Sequence, residues 1–204
     1  IAGSMPDGRA VFGIVPFEPR PGITFAAPMR LAAMESCLTV TADFQDWLMP
    51  AEMVVDIKPE GWITRNDQIN ITLQGFFALG CARGGIDVLW ELQKKRGDSV
   101  ISEAAIALQL EIDNCREAMI DAQACGSEET TDQKLQLRAW AIDLAMRCAH
   151  AAIAATGGAA NSLTHPAQRL MREALVYTVS AQTVPVRHAT LRRLIRAEDP
   201  NLLS

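Results

Sequence analysis

The sequence has little of what metal centres, disulfide scaffolds and membrane spans require. Its five cysteines are scattered, with no CxxC pair and no cysteine–histidine spacing typical of a metal site; they are Cys37, Cys81, Cys115, Cys125 and Cys148. This pattern predicts buried, reduced thiols in the cytoplasm and no bound metal. No apolar run approaches the ~18 residues of a membrane span, so we expect none.

An excess of positive charge is also lacking. The 204 residues carry 19 Lys and Arg against 24 Asp and Glu, a formal net charge of −5. This balance gives no electrostatic reason to expect nucleic acid or an anionic membrane as a partner. The chain starts with Ile1 rather than Met and has no signal-peptide pattern, which is consistent with a fragment of a longer protein.

The first 60 residues or so predict short strands separated by turns. Pro6-Asp7-Gly8 is a turn, and the apolar run 10–17 after it is a candidate strand. Further strands are predicted at 23–25, at 38–44, where β-branched residues alternate, and at 54–55.

The remainder predicts helices. Apolar residues at helical spacing indicate helices from about Asp67 to Lys95, from Ser99 to Cys125, from about Lys134 to Thr156, from near Pro166, and after Thr183. The second has a single apolar stripe, formed by Ile101, Ala105, Leu108, Ile112, Cys115, Met119 and Ala122. In the last, Val184, Leu191 and Ile195 are expected to face inward and the arginines 187, 192, 193 and 196 outward.

Glycine is concentrated in the first long helix. Gly75, Gly80, Gly84 and Gly85 lie within it, and each lowers helix propensity by about 1 kcal/mol. Four of them indicate close contact between helices or room for a ligand. Gly97 and Gly126 are expected to end the first and second helices.

The most informative segment is 147–183, where an alanine-rich helix stops at Gly157-Gly158 and another opens at Pro166. Two interpretations stand side by side. The glycines end a helix and do no more, or they leave bare backbone that a ligand or a partner chain can approach closely.

This segment resembles the C-terminal helical domain of the acyl-CoA dehydrogenase family. The resemblance is carried by the Gly-Gly pair, by RxxREAxxYT at 169–178 and by Thr183 five residues later. The runs VFGIVPF at 11–17 and PMRLAAMESCLTVTADFQDWLMPAEMVV at 28–55 resemble the second half of the family's middle β-domain. The fold expected is α+β and mainly α: a partial antiparallel β-domain at 1–62, then an antiparallel helical bundle at 63–204.

The resemblance implies a set of cofactor-binding residues, while the catalytic residue stays unassigned. In the family the Gly-Gly loop contacts the flavin of a neighbouring subunit. The FAD-binding residues implied here are Gly157, Gly158, Gln182, Thr183 and Arg96. Two family glutamines are replaced: Ala154 stands before the Gly-Gly pair, and Ala104 or Glu103 follows Arg96-Gly97. The family's catalytic glutamate aligns with Ala181, or with Asn70 in members that carry it on the first helix, and neither residue can remove a proton.

Other titratable residues have structural explanations. Glu173 is expected to form an ion pair with Arg172, and His150 and His165 to cap or pack. Cys148 and His150 are two residues apart on one helix, which excludes a local dyad. Trp62-Ile63-Thr64 matches a flavin-contacting family motif but at the wrong place in the chain, so Trp62 is expected to pack.

By resemblance, the full-length protein is expected to be an FAD-dependent oxidoreductase acting on the CH–CH bond of acyl thioesters, with its usual glutamate replaced. It is expected to form a homo-oligomer through the bundle. Two alternatives remain: a flavin-dependent monooxygenase of the same superfamily, and a non-catalytic assembly protein that kept the bundle. The chain alone is expected to be inactive and to bind FAD weakly or not at all.

Overall fold

The structure is a computed structural model that describes residues 1–125 and 130–195. The chain divides into two compact units, Ile1–Gln68 and Ile69–Ser204. The first contains short antiparallel strands and the second is a bundle of helices. The predicted fold class, α+β and mainly α, is confirmed.

Five strands form two small sheets in the first unit. They are β1 (Ala2–Ser4), β2 (Ala10–Gly13), β3 (Ile23–Phe25), β4 (Ala42–Phe44) and β5 (Val54–Lys58). One sheet has the order β1-β2-β5, and β3 pairs with β4; every pairing is antiparallel. The strand expected at 38–44 is shorter than predicted, because a 3-10 turn at Glu35–Cys37 is followed by Leu38 with a left-handed φ of 51°.

Trp62 opens helix α1 (Trp62–Ile69) and packs within the first unit. Its ring meets Phe12 edge-on, with 5.7 Å between centroids, and the Lys58 ammonium lies 5.1 Å from its centroid. The packing role predicted for Trp62 is therefore confirmed.

The first unit has very little core. Of its 68 residues, the buried ones are Ala10, Gly13 and Ile23. Large apolar side chains on its loops are exposed instead: Leu48 is 87% exposed, and Ile14 and Phe17 are each 69% exposed. Burial of apolar surface is the main stabilising contribution to folding, so little of it arises inside this unit.

The second unit consists of α2 (Leu73–Arg96), α3 (Ser99–Ala124), α4 (Thr131–Thr156), α5 (Pro166–Val179) and α6 (Val184–Leu194). Gly97 ends α2 with φ 68°, as predicted. The helix expected from Asp67 is not continuous, because α1 ends at Ile69 and α2 begins only at Leu73. Gly126 and Arg196 lie outside the described residues.

Helix α4 is at the centre of the bundle and packs against α2, α3, α5 and α6. Its alanines make this close approach feasible, and Ala141, Ala145, Ala149 and Ala152 are fully buried. The apolar stripe predicted for α3 is confirmed: its members are buried, apart from Leu108, which is partly buried.

Three of the four glycines in α2 lie where another helix comes close. A Cβ built on Gly75 would be 2.7 Å from Met119, one on Gly84 would be 2.8 Å from Leu170, and one on Gly85 would be 2.7 Å from the Cys148 carbonyl oxygen. A Cβ on Gly80 would meet nothing within 4 Å, so close helix contact does not explain this glycine, and the other alternative, room for a ligand, stays a prediction.

The inward face predicted for α6 is wrong. Val184 and Leu191 are each 53% exposed and Ile195 is 71% exposed, whereas Val186 and Ala189 are buried. Val186 and Ala189 form a small apolar cluster with residues of α4, and this packing sets the rotation of α6. Among the described residues, no helix combines the length and apolar character needed to cross a membrane.

Candidate functional site

The chain brings Arg96 and the Gly157-Gly158 pair together at one end of the bundle. Arg96 Nη1 donates to the Ala155 carbonyl at 2.5 Å and Nη2 to the Thr156 carbonyl at 3.2 Å. These carbonyls belong to the last turn of α4, whose C-terminal oxygens have no partner within the helix. Arg96, Thr156, Gly157 and Gly158 are called the loop cluster below.

The two glycines of the loop cluster are both exposed. Gly157 has a φ of 77°, which strongly favours glycine, and it ends α4, as the simpler sequence interpretation predicted. A Cβ on Gly158 would meet nothing within 4 Å. The hydroxyl of Thr156, a residue only 7% exposed, is buried and has no hydrogen-bond partner. The backbone is accessible here beside an unused polar atom, so the second interpretation, ligand approach, remains open.

Helix α5 begins as the sequence predicted, with His165 as its N-cap. The backbone N–H of Ala167 donates to His165 Nδ1 at 3.2 Å, and Pro166 occupies the first turn. The prediction of an ion pair between Glu173 and Arg172 is wrong. Glu173 pairs with Arg169 at 3.4 Å, one helical turn away, while Arg172 donates to the Leu163 carbonyl at 3.0 Å.

The other predicted cofactor residues lie at the opposite end of α4, in the connection between α5 and α6. Arg138 Nη2 donates to the carbonyls of Ser180 at 2.8 Å and Ala181 at 3.2 Å. Gln182 Oε1 is buried without a hydrogen-bond partner, and the exposed Thr183 is the N-cap of α6 without a side-chain cap bond. Residues 180–183 together with Arg138 are called the turn cluster below.

Both positions that align with the family's base adjoin the turn cluster. The Arg138 guanidinium that binds Ala181 also donates to the Ile71 carbonyl at 3.4 Å, so Ala181 and the segment after Asn70 share one partner. Asn70 Oδ1 accepts from Gln123 Nε2 at 3.3 Å. The chain therefore places the two positions near each other, and neither carries a carboxylate.

The loop cluster and the turn cluster are far apart within one chain. Arg138 and Thr156 are 18 residues apart on the same helix, which is roughly 27 Å at 1.5 Å per residue. The structure thus groups Arg96 with Gly157 and Gly158, and groups Gln182 with Thr183, but does not bring the two groups together.

Sequence reasoning missed Lys134 and Arg138. Lys134 is completely buried and Arg138 is 5% exposed, and Lys134 Nζ donates to the Ile69 carbonyl at 3.2 Å. The sequence did contain a signal for their burial, in the spacing of these two residues along α4. They continue the stripe of Ala141, Ala145 and Cys148 at helical spacing, so two cations occupy core positions.

The cysteines are unsuited to nucleophilic chemistry where they are buried. Burial raises the pKa of Cys81 to about 11 and the pKa values of Cys115 and Cys148 to about 12. The prediction that all five are buried is wrong for Cys37 and Cys125, which are exposed. Cys148 is buried and His150 exposed, so the two lie on different faces of α4, as predicted.

A separate polar network fastens α3, α4 and α6. Glu111 Oε1 accepts from Arg147 Nη1 at 2.7 Å and from Trp140 Nε1 at 2.9 Å, and Arg193 Nη2 lies 3.7 Å away. The Arg193 guanidinium also lies 5.4 Å from the centroid of the Trp140 ring. Hydrogen bonds from Arg147 and Trp140 hold the pKa of Glu111 below its usual value, against the effect of partial burial.

This pKa shift predicts a pH dependence of stability. A carboxyl group whose pKa is lower in the folded state stabilises the fold fully above its unfolded pKa of about 4.5, and this contribution is lost as pH falls through the folded pKa. Thermal melts should show Glu111→Gln less stable than the parent at pH 7, with the difference shrinking towards pH 3. Glu117→Gln, at an exposed position of the same helix, is the control. If the difference in stability between the parent and Glu111→Gln were equal at both pH values, the lowered pKa of Glu111 would be contradicted.

No cluster of three or more His, Cys, Asp or Glu in the described parts of the chain is arranged to hold a metal ion. A shallow groove of about 790 Å³ beside α4 and α6 is lined by Gln136, Asp143, Arg147, Arg192, Arg193 and Leu194. Those lining residues include none of the predicted site residues.

Comparison with known proteins gives the fold a counterpart. No family model matches the sequence, and no curated protein matches it. Solved structures do match: butyryl-CoA dehydrogenase from Megasphaera elsdenii (22% identity, TM-score 0.66, 93% of this chain and 53% of that one), and an acyl-CoA dehydrogenase from Geobacillus kaustophilus (18%, 0.72, 92% and 52%). Nitroalkane oxidase, a flavoprotein, also matches (17%, 0.68, 95% and 51%).

The chain therefore has the fold of the C-terminal part of acyl-CoA dehydrogenases and related flavoproteins, as the sequence resemblance predicted. It spans about half the length of the solved chains that it matches. At identities near 20%, this likeness establishes the fold and no particular reaction.

The clusters fit a flavin cofactor in part. The Thr156 hydroxyl in the loop cluster and the side-chain amide oxygen of Gln182 in the turn cluster have no hydrogen-bond partner, and a bound ligand could provide one for each. Arg96 keeps part of its guanidinium free beyond the two carbonyls that it binds. Ala154, which stands in place of the family's glutamine, is exposed and offers no polar contact.

Proposed function

We propose that the chain is the C-terminal portion of an acyl-CoA dehydrogenase-like, FAD-dependent oxidoreductase acting on acyl thioesters. The observation that carries the proposal is that Arg96 binds the last two carbonyls of α4, directly before Gly157 and Gly158. All three residues are among those that the resemblance implies bind FAD. The fold shared with butyryl-CoA dehydrogenase supports it.

In this proposal the two clusters serve different flavins. The two clusters of one chain are roughly 27 Å apart along α4, so the proposal assigns a separate flavin to each. The loop cluster, with Arg96 beside Gly157 and Gly158, would contact the FAD of a neighbouring subunit. The turn cluster, with Gln182 and Thr183, would contact the chain's own FAD. This division calls for a homo-oligomer assembled through the bundle. The cytoplasmic location suggested by the sequence stays a prediction.

When bound, FAD supplies hydride acceptance, and the chain's residues would orient it. Arg96 and Thr156 offer donors for its polar groups, and Gln182 Oε1 offers an acceptor. Proton removal from the substrate has no candidate among these residues, because Asn70 and Ala181 stand at the two base positions.

The missing carboxylate favours two further candidates. A flavin-dependent monooxygenase of the same superfamily needs no glutamate base, and a non-catalytic assembly protein needs neither base nor flavin. Purified full-length protein separates the latter from the two enzymes, because a flavoprotein is yellow. Flavin oxidation by dioxygen, with and without an acyl-CoA, separates the two enzymes from each other.

The chain of residues 1–204 alone should show no acyl-CoA dehydrogenase activity and only weak FAD binding. Flavin affinity arises from many convergent contacts, and this chain offers few of them. Ala181→Glu should not restore turnover, since a base needs a bound and oriented flavin and thioester to act on. The measurement is an FAD titration followed by acyl-CoA addition with an artificial electron acceptor.

Light scattering on the same samples tests the assembly. We expect an oligomer at tens of micromolar. A monomer at that concentration would count against the shared site, and substrate-dependent bleaching of bound flavin would overturn the expectation of inactivity.

A further inference from the structure

Two buried cations of α4 hold the ends of other helices. Lys134 and Arg138 are four residues apart on the core side of α4 and are respectively 0% and 5% exposed. Lys134 Nζ donates to the Ile69 carbonyl at 3.2 Å. Arg138 donates to the carbonyls of Ile71 at 3.4 Å, Ser180 at 2.8 Å and Ala181 at 3.2 Å.

These carbonyls lie at, or just after, the C-terminal ends of two helices. Ile69 is the last residue of α1, and its carbonyl has no partner within that helix. Ile71 lies in the break before α2, and Ser180 and Ala181 follow the last residue of α5, Val179, so regular structure gives these carbonyls no partner either. A positive side chain suits them because the C-terminal end of a helix carries partial negative charge. One guanidinium thus joins the break before α2 to the connection between α5 and α6.

The connection between α5 and α6 contains a backbone conformation that is unfavourable for its sequence. Ala181 has a φ of 45°, in the left-handed region that alanine disfavours. Its carbonyl accepts from the Thr183 N–H at 3.1 Å as well as from Arg138. Two nitrogens of the guanidinium are used: Nη2 donates to the Ser180 and Ala181 carbonyls, and Nη1 donates to the Ile71 carbonyl. A lysine ammonium has a single nitrogen and does not reproduce this spread of donors.

We infer that Arg138 is a positioning residue for the turn cluster: it fixes residues 180–183 in their left-handed turn and keeps positive charge beside the side chain at position 181. The inference rests on the proposed function only in treating position 181 as the place of a base. The contacts themselves involve no cofactor. Lys134 supports the neighbouring break and contributes the second buried cation.

The positive charge of Arg138 should lower the pKa of an acidic group at position 181, an effect that a purely structural role of Arg138 would not produce. An acidic group at position 181 would ionise more readily beside a buried guanidinium. A thiol introduced by Ala181→Cys serves as the probe, because Ala181 is exposed and the reaction rate of a thiol follows its ionised fraction. The exposed Cys37 and Cys125 are first replaced by serine, and the three buried cysteines stay in place.

The experiment measures the pH dependence of alkylation of the new thiol in the full chain. With Arg138 present its pKa should lie below that of a free thiol, and Arg138→Gln should raise it by about one unit. Arg138→Lys should give an intermediate value, because it keeps the charge but has one nitrogen in place of the two that reach Ile71 and residues 180–181. Arg147→Gln, a substitution on the same helix two and a half turns away, is the matched control and should leave it unchanged.

Hydrogen exchange gives a second measurement. The amides of residues 180–183 should exchange about tenfold faster in Arg138→Lys than in the parent, with those of α3 unchanged. This comparison holds even if Arg138→Gln fails to fold. Equal thiol pKa values in the parent, Arg138→Lys and Arg138→Gln would overturn the inference, as would an equal shift in Arg147→Gln or unchanged exchange at 180–183. Neither readout involves flavin, so a failure here is distinguishable from a failure of the proposed function.

Discussion

Ile112→Asp should lower the free energy of unfolding of the helical unit by about 4 kcal/mol, because it buries a carboxylate that has no partner. Ile112 is 4% exposed and lies in the middle of the α3 stripe. Its neighbours in the core are apolar, so an aspartate there could neither ionise without a large desolvation penalty nor form a hydrogen bond. The change should be read from denaturant unfolding followed by helical circular dichroism.

Leu110→Asp is the matched control for this substitution. Leu110 belongs to the same helix two residues away and is 61% exposed. Since its side chain points into solvent, the same chemical change there should alter stability by less than about 1 kcal/mol. Equal losses for the two variants would mean that the orientation of α3 is wrong.

Gly85→Ala is the second substitution for which we expect a large effect, a loss of about 3 kcal/mol. The added Cβ would be 2.7 Å from the Cys148 carbonyl oxygen and 2.8 Å from its carbon. Both are backbone atoms of α4, so relief requires a shift of one helix against the other rather than a change of rotamer.

Gly80→Ala provides the contrast on the same helix. A Cβ at Gly80 meets nothing within 4 Å, and replacing glycine by alanine inside a helix stabilises it by about 1 kcal/mol or slightly less. Thermal melts should therefore move in opposite directions for the two variants. A stabilised Gly85→Ala would show that α2 and α4 are not in close contact at this point.

Helix boundaries were predictable where a local signal marks them. Gly97, Gly157 and Pro166 act through their own backbone preferences, and the structure ends or begins a helix at each. The break between Ile69 and Leu73 was not predictable in this way. Apolar spacing continues across it, and the freed carbonyls are bound by Lys134 and Arg138, more than 60 residues later.

In the candidate site, too, some residues could be predicted from the sequence and others depend on contacts between distant segments. The resemblance supplied Arg96, Gly157 and Gly158, and the structure groups them because α2 and α4 both end there. The role of Arg138 arises only when α4 lies against Ile71 and residues 180–181, and no spacing rule states this. The rotation of α6 likewise follows from Val186 and Ala189 packing on α4 and not from its own apolar pattern.

Because the first unit has so few buried residues, the unfolding parameters of this chain should be smaller than its length suggests. Denaturant m-values and heat-capacity increments scale with the surface newly exposed to water. The strands of residues 1–68 already leave most of their side chains solvated, so their loss adds little to either quantity. An unfolding curve for all 204 residues should therefore have the steepness of a protein on the order of 130 residues, and it should report mainly on the helical unit.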